Sequence, residues 1–446
     1  MLRRFGLGAS EQELEFYGSS GLKGAIDKLL SYDQIPDDSL LDREAFATQK
    51  NGNFKPDQAC GWWTQVLTRT KRPLQERMVV FWHNHFATST VKVNSGYLIA
   101  DQNEIFRKNA TGKFSTLLSE VSKDPAMLYW LDNHLNVAGK PNENFAREVM
   151  ELFTLGVGNY TEKDVQEAAR AFTGWTYQKP KKQKKNPDDI PKKTRFVFET
   201  DDHDGGTKSV LGKSGRLNGD DVLELLCAQP QTARFITGKV WEWFVYDSPD
   251  SALIERHASV FHNSGLDIAV LLRSIMESEE FYSARAYRKL VKNPLDITVV
   301  TARQLGLGAV PLPEDGKPSP AFNAIRLANN RMGMELMAPP DVSGWKPGTT
   351  WITSATMIER VKWADRIFAG RGAGVQFASL LDSAEPRAAV AKLLSIFDAE
   401  FPATKIDILV DSATKASGGA VTAKNANAVA TAVCRIIFGA PEFQVC

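Results

Sequence analysis

Residues 142–151, NENFAREVME, are where this chain could most readily do acid and base chemistry. Glu148 and Glu151 stand one helical turn apart there, next to Arg147. A carboxylate close to an apolar helix face must be paired, hydrogen-bonded or metal-bound, and partial burial lifts its pKa toward the range of a general acid. Glu148 and Glu151 are therefore expected catalytic residues, with Arg147 and Asn144 as substrate-binding neighbours. The same pattern has a plainer reading. Glu143, Arg147 and Glu151 stand four apart, which is also how a solvated helix is decorated, at a few tenths of a kcal/mol per pair.

Two further stretches carry polar residues of the right kind. In WHNHF, residues 82–86, His85 is a candidate general base and Trp82 a candidate substrate-binding residue. In HDGGTK, residues 203–208, Asp204 supplies a second carboxylate off the Glu148 helix, as glycoside hydrolysis usually requires, and Lys208 can bind an anionic group. His83, His85 and His203, joined by a carboxylate, would suit zinc, manganese or iron. In a helix, residues i and i+2 point to nearly opposite sides, so His83 and His85 share an ion only if the helix ends or distorts between them. The Thr88-Ser89-Thr90 run makes an ending there plausible. A lone histidine on an apolar face is more often a satisfied core residue.

The elements that must hold these residues are helical. Asn142 or Asn144 can cap a helix whose apolar stripe is Phe145, Val149, Leu152 and Phe153, with Gly156 and Gly158 ending it. Thr161 and Asp164 form a capping-box pattern for the next helix, which Gly174 ends. Residues 10–33 read as two short helices, Pro73 opens the helix carrying WHNHF, and helical patterns resume from Asn218. Phe196, Phe198 and Thr200 alternate like a strand, and Asp204-Gly205-Gly206 read as a hairpin turn. Trp345 and Trp351 lie in a Pro- and Gly-rich loop and are expected to plug the core. The expected fold is mainly α: a large multi-helix domain in two lobes, residues 1–175 and 214–446, with a lysine-rich loop and one small β-hairpin insertion at 176–213.

Composition narrows the partners. A net charge of +1 over 446 residues gives no broad basic face for nucleic acid. Cys60, Cys227, Cys434 and Cys446 lack CxxC spacing. No apolar run is long enough to span a bilayer, and no apolar leader opens the chain, so the expectation is cytoplasmic as written, and periplasmic or secreted if a leader was removed. The lysine-rich residues 179–193 read as a solvated insertion rather than a clamp for an anionic polymer. P-loop, nucleophile-elbow and HExxH motifs are absent.

These motifs together resemble the bacterial family known as domain of unknown function 1800. The likeness is carried by LRRFGLGAS, RPLQERMVVFWHNHFATS, VSKDPAMLYWLDN, the 142–175 segment, HDGGTKSVLGKSG, TARFITGKVWEWFV and PPDVSGW, in order along nearly the whole chain. The family has no established activity. The resemblance implies a mostly helical protein, work on surface or secreted polymers, and a possible partner resembling the phosphatase and sulfatase group, encoded by a neighbouring gene. Two functional classes remain: a hydrolase acting on such a polymer, a polysaccharide for example, by carboxylate/histidine or metal-assisted chemistry, or a non-enzymatic binding or assembly protein for that polymer or a partner protein. Motif charges that are all mutually paired, with no open pocket beside them, would favour the second.

Overall fold

The computed structural model describes residues 1–39, 42–47, 54–178, 194–309, 320–368, 380–381 and 385–446. The lysine-rich stretch 179–193 lies outside them. Helices dominate, with two small two-stranded antiparallel sheets among the described residues. One cluster of buried apolar side chains runs from Phe5 to Phe443.

At its centre are the helices Pro56–Arg69, Pro73–His85 and Gly96–Lys108. Pro56 and Pro73 each open their helix at the first turn, where the missing N–H costs nothing. Trp62, Trp63 and Trp82 are fully buried between them. Around this core pack Pro294–Gln304 and Pro320–Arg331 on one side and Pro230–Phe244 on another.

The motif helix Glu143–Met150 is capped by Asn142, whose side chain accepts the Asn144 N–H. It buries Phe145 and Val149 and gives way to a wide π-type turn, Glu151–Leu155. Gly156 and Gly158, both at positive φ, end the run. Thr161 and Asp164 complete the expected capping box for Glu162–Ala171.

The β pairing differs from the sequence expectation. Phe196–Phe198 does not fold back across Asp204-Gly205-Gly206; it pairs with Trp175–Tyr177, a short strand of aromatic and β-branched residues. The hairpin is instead Lys208–Val210 with Lys213–Gly215. Its two turn residues, Leu211 and Gly212, both have positive φ, as a tight hairpin requires. His203 and Asp204 thus lie in the link between the two sheets, not at a hairpin tip. No helix among the described residues is long and apolar enough to cross a membrane.

Candidate functional site

The Pro73–His85 helix stays regular through both histidines, so their rings diverge. His83 packs against Trp63, Phe106 and Trp345, and its buried Nε2 has no hydrogen-bond partner among the described residues. His85 lies among Phe81, Phe86, Phe114, Phe153 and Phe235. Burial pushes both imidazoles down to about 3, so at neutral pH both are uncharged. His85 Nε2 meets the Phe153 carbonyl at 3.1 Å, which makes it the protonated nitrogen. Trp82 is wholly enclosed, with its Nε1–H donated to the Ala110 carbonyl at 2.9 Å, so it presents no face to a substrate.

His85 serves the wide turn. A π-type turn leaves carbonyls without their usual helical donors, and here side chains supply them. Phe153 O takes His85, Leu155 O takes Gln231 Nε2 at 3.0 Å and Asn159 Nδ2 at 3.1 Å, and Val149 O takes Thr154 Oγ1 at 2.7 Å.

The motif asparagines have a similar role. Asn133 Nδ2 donates to the carbonyls of Phe172 and Trp175, and Asn136 Nδ2 to Ala169 O and Asn133 Oδ1. Asn136 Oδ1 accepts the Asn142 N–H at 2.9 Å, and Asn144 Nδ2 donates to Leu131 O at 3.1 Å. This ties the loop before the motif helix to the end of Glu162–Ala171.

The charged candidates are paired within the fold. Arg147 grips Glu162 with both nitrogens, at 2.9 and 2.7 Å, and reaches Glu143 at 3.3 Å. Asp204 receives Arg170 at 2.8 and 3.2 Å and the Gly206 N–H at 2.8 Å. The Arg170 guanidinium holds the Asp204 carboxyl below its ordinary range. Lys208 is buried, its Nζ donating to the carbonyls of Asp204 and Gly206, and burial lowers its pKa. His203 Nδ1 sits 3.0 Å from the Thr173 carbonyl, its ring against Phe198. The three histidines proposed to share an ion therefore lie in different surroundings. Among the described residues no group of three or more His, Cys, Asp or Glu side chains is placed to hold a metal ion.

Glu148 is the exception. It is half-buried and makes no hydrogen bond or ion pair among the described residues, and burial, then the neighbouring Glu151, raises its pKa. Glu151, at the head of the wide turn, accepts the Tyr160 hydroxyl. Burial, then that bond to Glu151, pushes the Tyr160 phenol up to about 12.

Sequence reasoning passed over Asn84, between the two histidines. Its Oδ1 accepts the Trp345 N–H at 2.7 Å, joining WHNHF to PPDVSGW. Gly344 has φ +77, and a Cβ there would lie 2.4 Å from the Asn84 carbonyl oxygen, so only glycine fits. Trp345 and Trp351 are both buried, as core plugs should be.

A family model described as a protein of unknown function, DUF1800, matches residues 1–445. The chain belongs to that family. No curated protein and no solved structure matches it. The DUF1800 match therefore takes in all three polar stretches, and the chemistry has to be read from the side chains.

Proposed function

We propose that this DUF1800 chain is a non-enzymatic binding protein for a surface polysaccharide, with its motif residues forming the internal polar frame that sets the binding surface. One observation carries this reading: Glu148 apart, the charged and amide groups of the motifs named above are spent on one another and on backbone carbonyls. Arg147, Asp204, Lys208, His85 and Asn144 all have partners inside the fold. A network satisfied in this way rigidifies a structure and leaves little hydrogen-bonding capacity for a reacting group. The two cavities described are lined by other residues.

Retention of the full chain on immobilised polysaccharides, with and without Asp204→Asn, tests the reading. Retention of wild type without turnover of the polymer is expected, and the variant should lose thermal stability first. Release of reducing ends or other products from a retained polymer would overturn it.

A second reading has its own support. Glu148 is a half-buried carboxylate without a partner among the described residues, its pKa raised by burial and then by Glu151, which is the state of a general acid. In that case the chain is a hydrolase, Glu148 the acid and Glu151 the base held by Tyr160. Loss of product release in both Glu148→Gln and Glu151→Gln, with folding intact, would favour it over the first.

A further inference from the structure

Asp124 opens the short helix Pro125–Trp130 and is buried, yet it makes no ion pair among the described residues. The two other buried carboxylates among them each have a cation: Glu76 has Arg107, and Asp296 has Arg77 at 2.7 Å. Asp124 has hydrogen bonds alone. Its Oδ2 accepts the Met127 N–H at 3.0 Å and Gln102 Nε2 at 2.8 Å. The charged groups on the elements around it are engaged elsewhere. Asp101, on the Gly96–Lys108 helix, is held by Arg43, and Lys92, on Thr90–Val93, by Asp132 and the Trp130 carbonyl. Glu120, on Phe114–Ser122, takes Lys108 and Asn109, while Lys123 reaches Asp220 and lies over Trp175. Tyr129, His134 and Tyr177 pack on one another at the other end of the short helix. Burial pushes the Asp124 carboxyl up to about 7, opposed by its bonds to Met127 and Gln102 and assisted by Asp101.

Gln102 is the partner that can respond. Its side chain is wholly enclosed, and Nε2 donates both to Asp124 and to Thr88 Oγ1, at 3.1 Å, while Oε1 has no partner among the described residues. The Thr88 hydroxyl in turn donates to the Phe86 carbonyl at 3.2 Å and lies 3.9 Å from Met127 Sδ. The oxygen and nitrogen of a carboxamide fill nearly the same space, so turning the group over costs little packing. In one orientation the nitrogen makes two bonds and the oxygen none; in the other the oxygen accepts two and the nitrogen makes none. The counts are equal and neither idle atom meets solvent. The charge on Asp124 therefore decides between them, because an ionised carboxylate only accepts, whereas the neutral acid has a proton to donate.

We propose that Asp124, Gln102 and Thr88 form a proton-controlled joint between the KDPAM and WHNHF stretches: on protonation of Asp124 the Gln102 amide turns over, its oxygen accepts from both Asp124 and Thr88, and Thr88 lets go of the Phe86 carbonyl. The proton comes from solvent and stays on the Asp124 carboxyl. Phe86 caps the end of the Pro73–His85 helix, and the Thr90 N–H, two residues beyond Thr88, donates to the Met337 carbonyl at 2.9 Å ahead of PPDVSGW. The joint thus acts where three motifs meet. It does not depend on what the chain binds, so it stands or falls separately from the polymer reading.

Methyl NMR of the full chain, labelled at threonine and methionine, reads the joint through Thr88 and Met127. Both methyl signals should move together with pH, with a midpoint near 7. Asp124→Asn has an amide N–H where the acid carries its proton, so its Thr88 and Met127 signals should keep their low-pH positions from about pH 5 to about pH 9. Gln102→Met keeps the bulk of the side chain without the amide. Asp124 still titrates in that variant, but the Thr88 methyl should no longer follow it. Wild-type signals that stay still over this range, an Asp124→Asn protein that titrates as wild type does, or a Thr88 shift that survives in Gln102→Met would each overturn the proposal. The first of these outcomes needs no variant to fold.

Discussion

Asn84 Oδ1 holds the backbone N–H of Trp345 at 2.7 Å, across 261 residues of sequence. The polar residue between two histidines thus latches a distant tryptophan loop, and the histidines themselves serve the core. Asn84→Ala should destabilise the protein by about 1 kcal/mol, the net worth of a part-buried hydrogen bond. The loop should loosen with it. Thermal unfolding together with tryptophan emission reads both, and an unchanged midpoint would show that the latch carries nothing.

Gly344→Ala should be worse than Asn84→Ala. It brings a Cβ within 2.4 Å of the Asn84 carbonyl oxygen at a φ of +77. Backbone strain and a clash that cannot relax through a flexible side chain act together. A soluble Gly344→Ala variant with wild-type stability would mean that the loop can reseat.

Acid should unfold this protein early, through its histidines. His83 and His85 are held near 3, against 6.5 for a free imidazole, because burial disfavours the charged ring. The folded state then resists protons that the unfolded chain accepts. Their contribution to stability is present above about pH 6.5 and is lost as pH falls toward about 3. His83 makes no hydrogen bond through Nε2 among the described residues, so His83→Leu should be close to neutral at pH 7 and should flatten the acid side of the stability curve. Equal acid slopes in the two proteins would exclude His83 as a source.

Glu148 has the opposite sign. Its folded pKa is raised, so its contribution is greatest below 4.5 and is lost as pH rises through the folded value. Glu148→Gln should raise the unfolding midpoint at pH 8 and leave it unchanged at pH 4. A destabilised variant at pH 8 would point to a partner for the ionised carboxylate.

What was legible in the sequence was local. The Asn142 cap, the Thr161–Asp164 capping box, the glycine stops at 156 and 158 and the two helices of residues 10–33 were all readable, because each is decided within one or two helical turns. Non-local pairings were not. Trp175–Tyr177 finds its partner strand beyond an intervening stretch of about 18 residues, and the nearer Asp-Gly-Gly pattern offered a more obvious turn. Glu148 and Glu151 could be located, but not their different fates, which depend on Tyr160 reaching one carboxylate and none of the described residues bonding to the other. No spacing rule could pair Asn84 with Trp345, or Glu76 with Arg107.

The wide turn at Glu151–Leu155 also sets how this segment can vary. A residue advances an α-helix by about 100°, so a π-type turn acts as a phase shift between the backbone on its two sides. Deleting any one residue of the five would restore the ordinary repeat and rotate Gly156 and its neighbours away from Phe235 and Gln231. The segment should therefore accept changes of letter far more readily than changes of length. In this part of the protein the number of residues carries as much instruction as their identity.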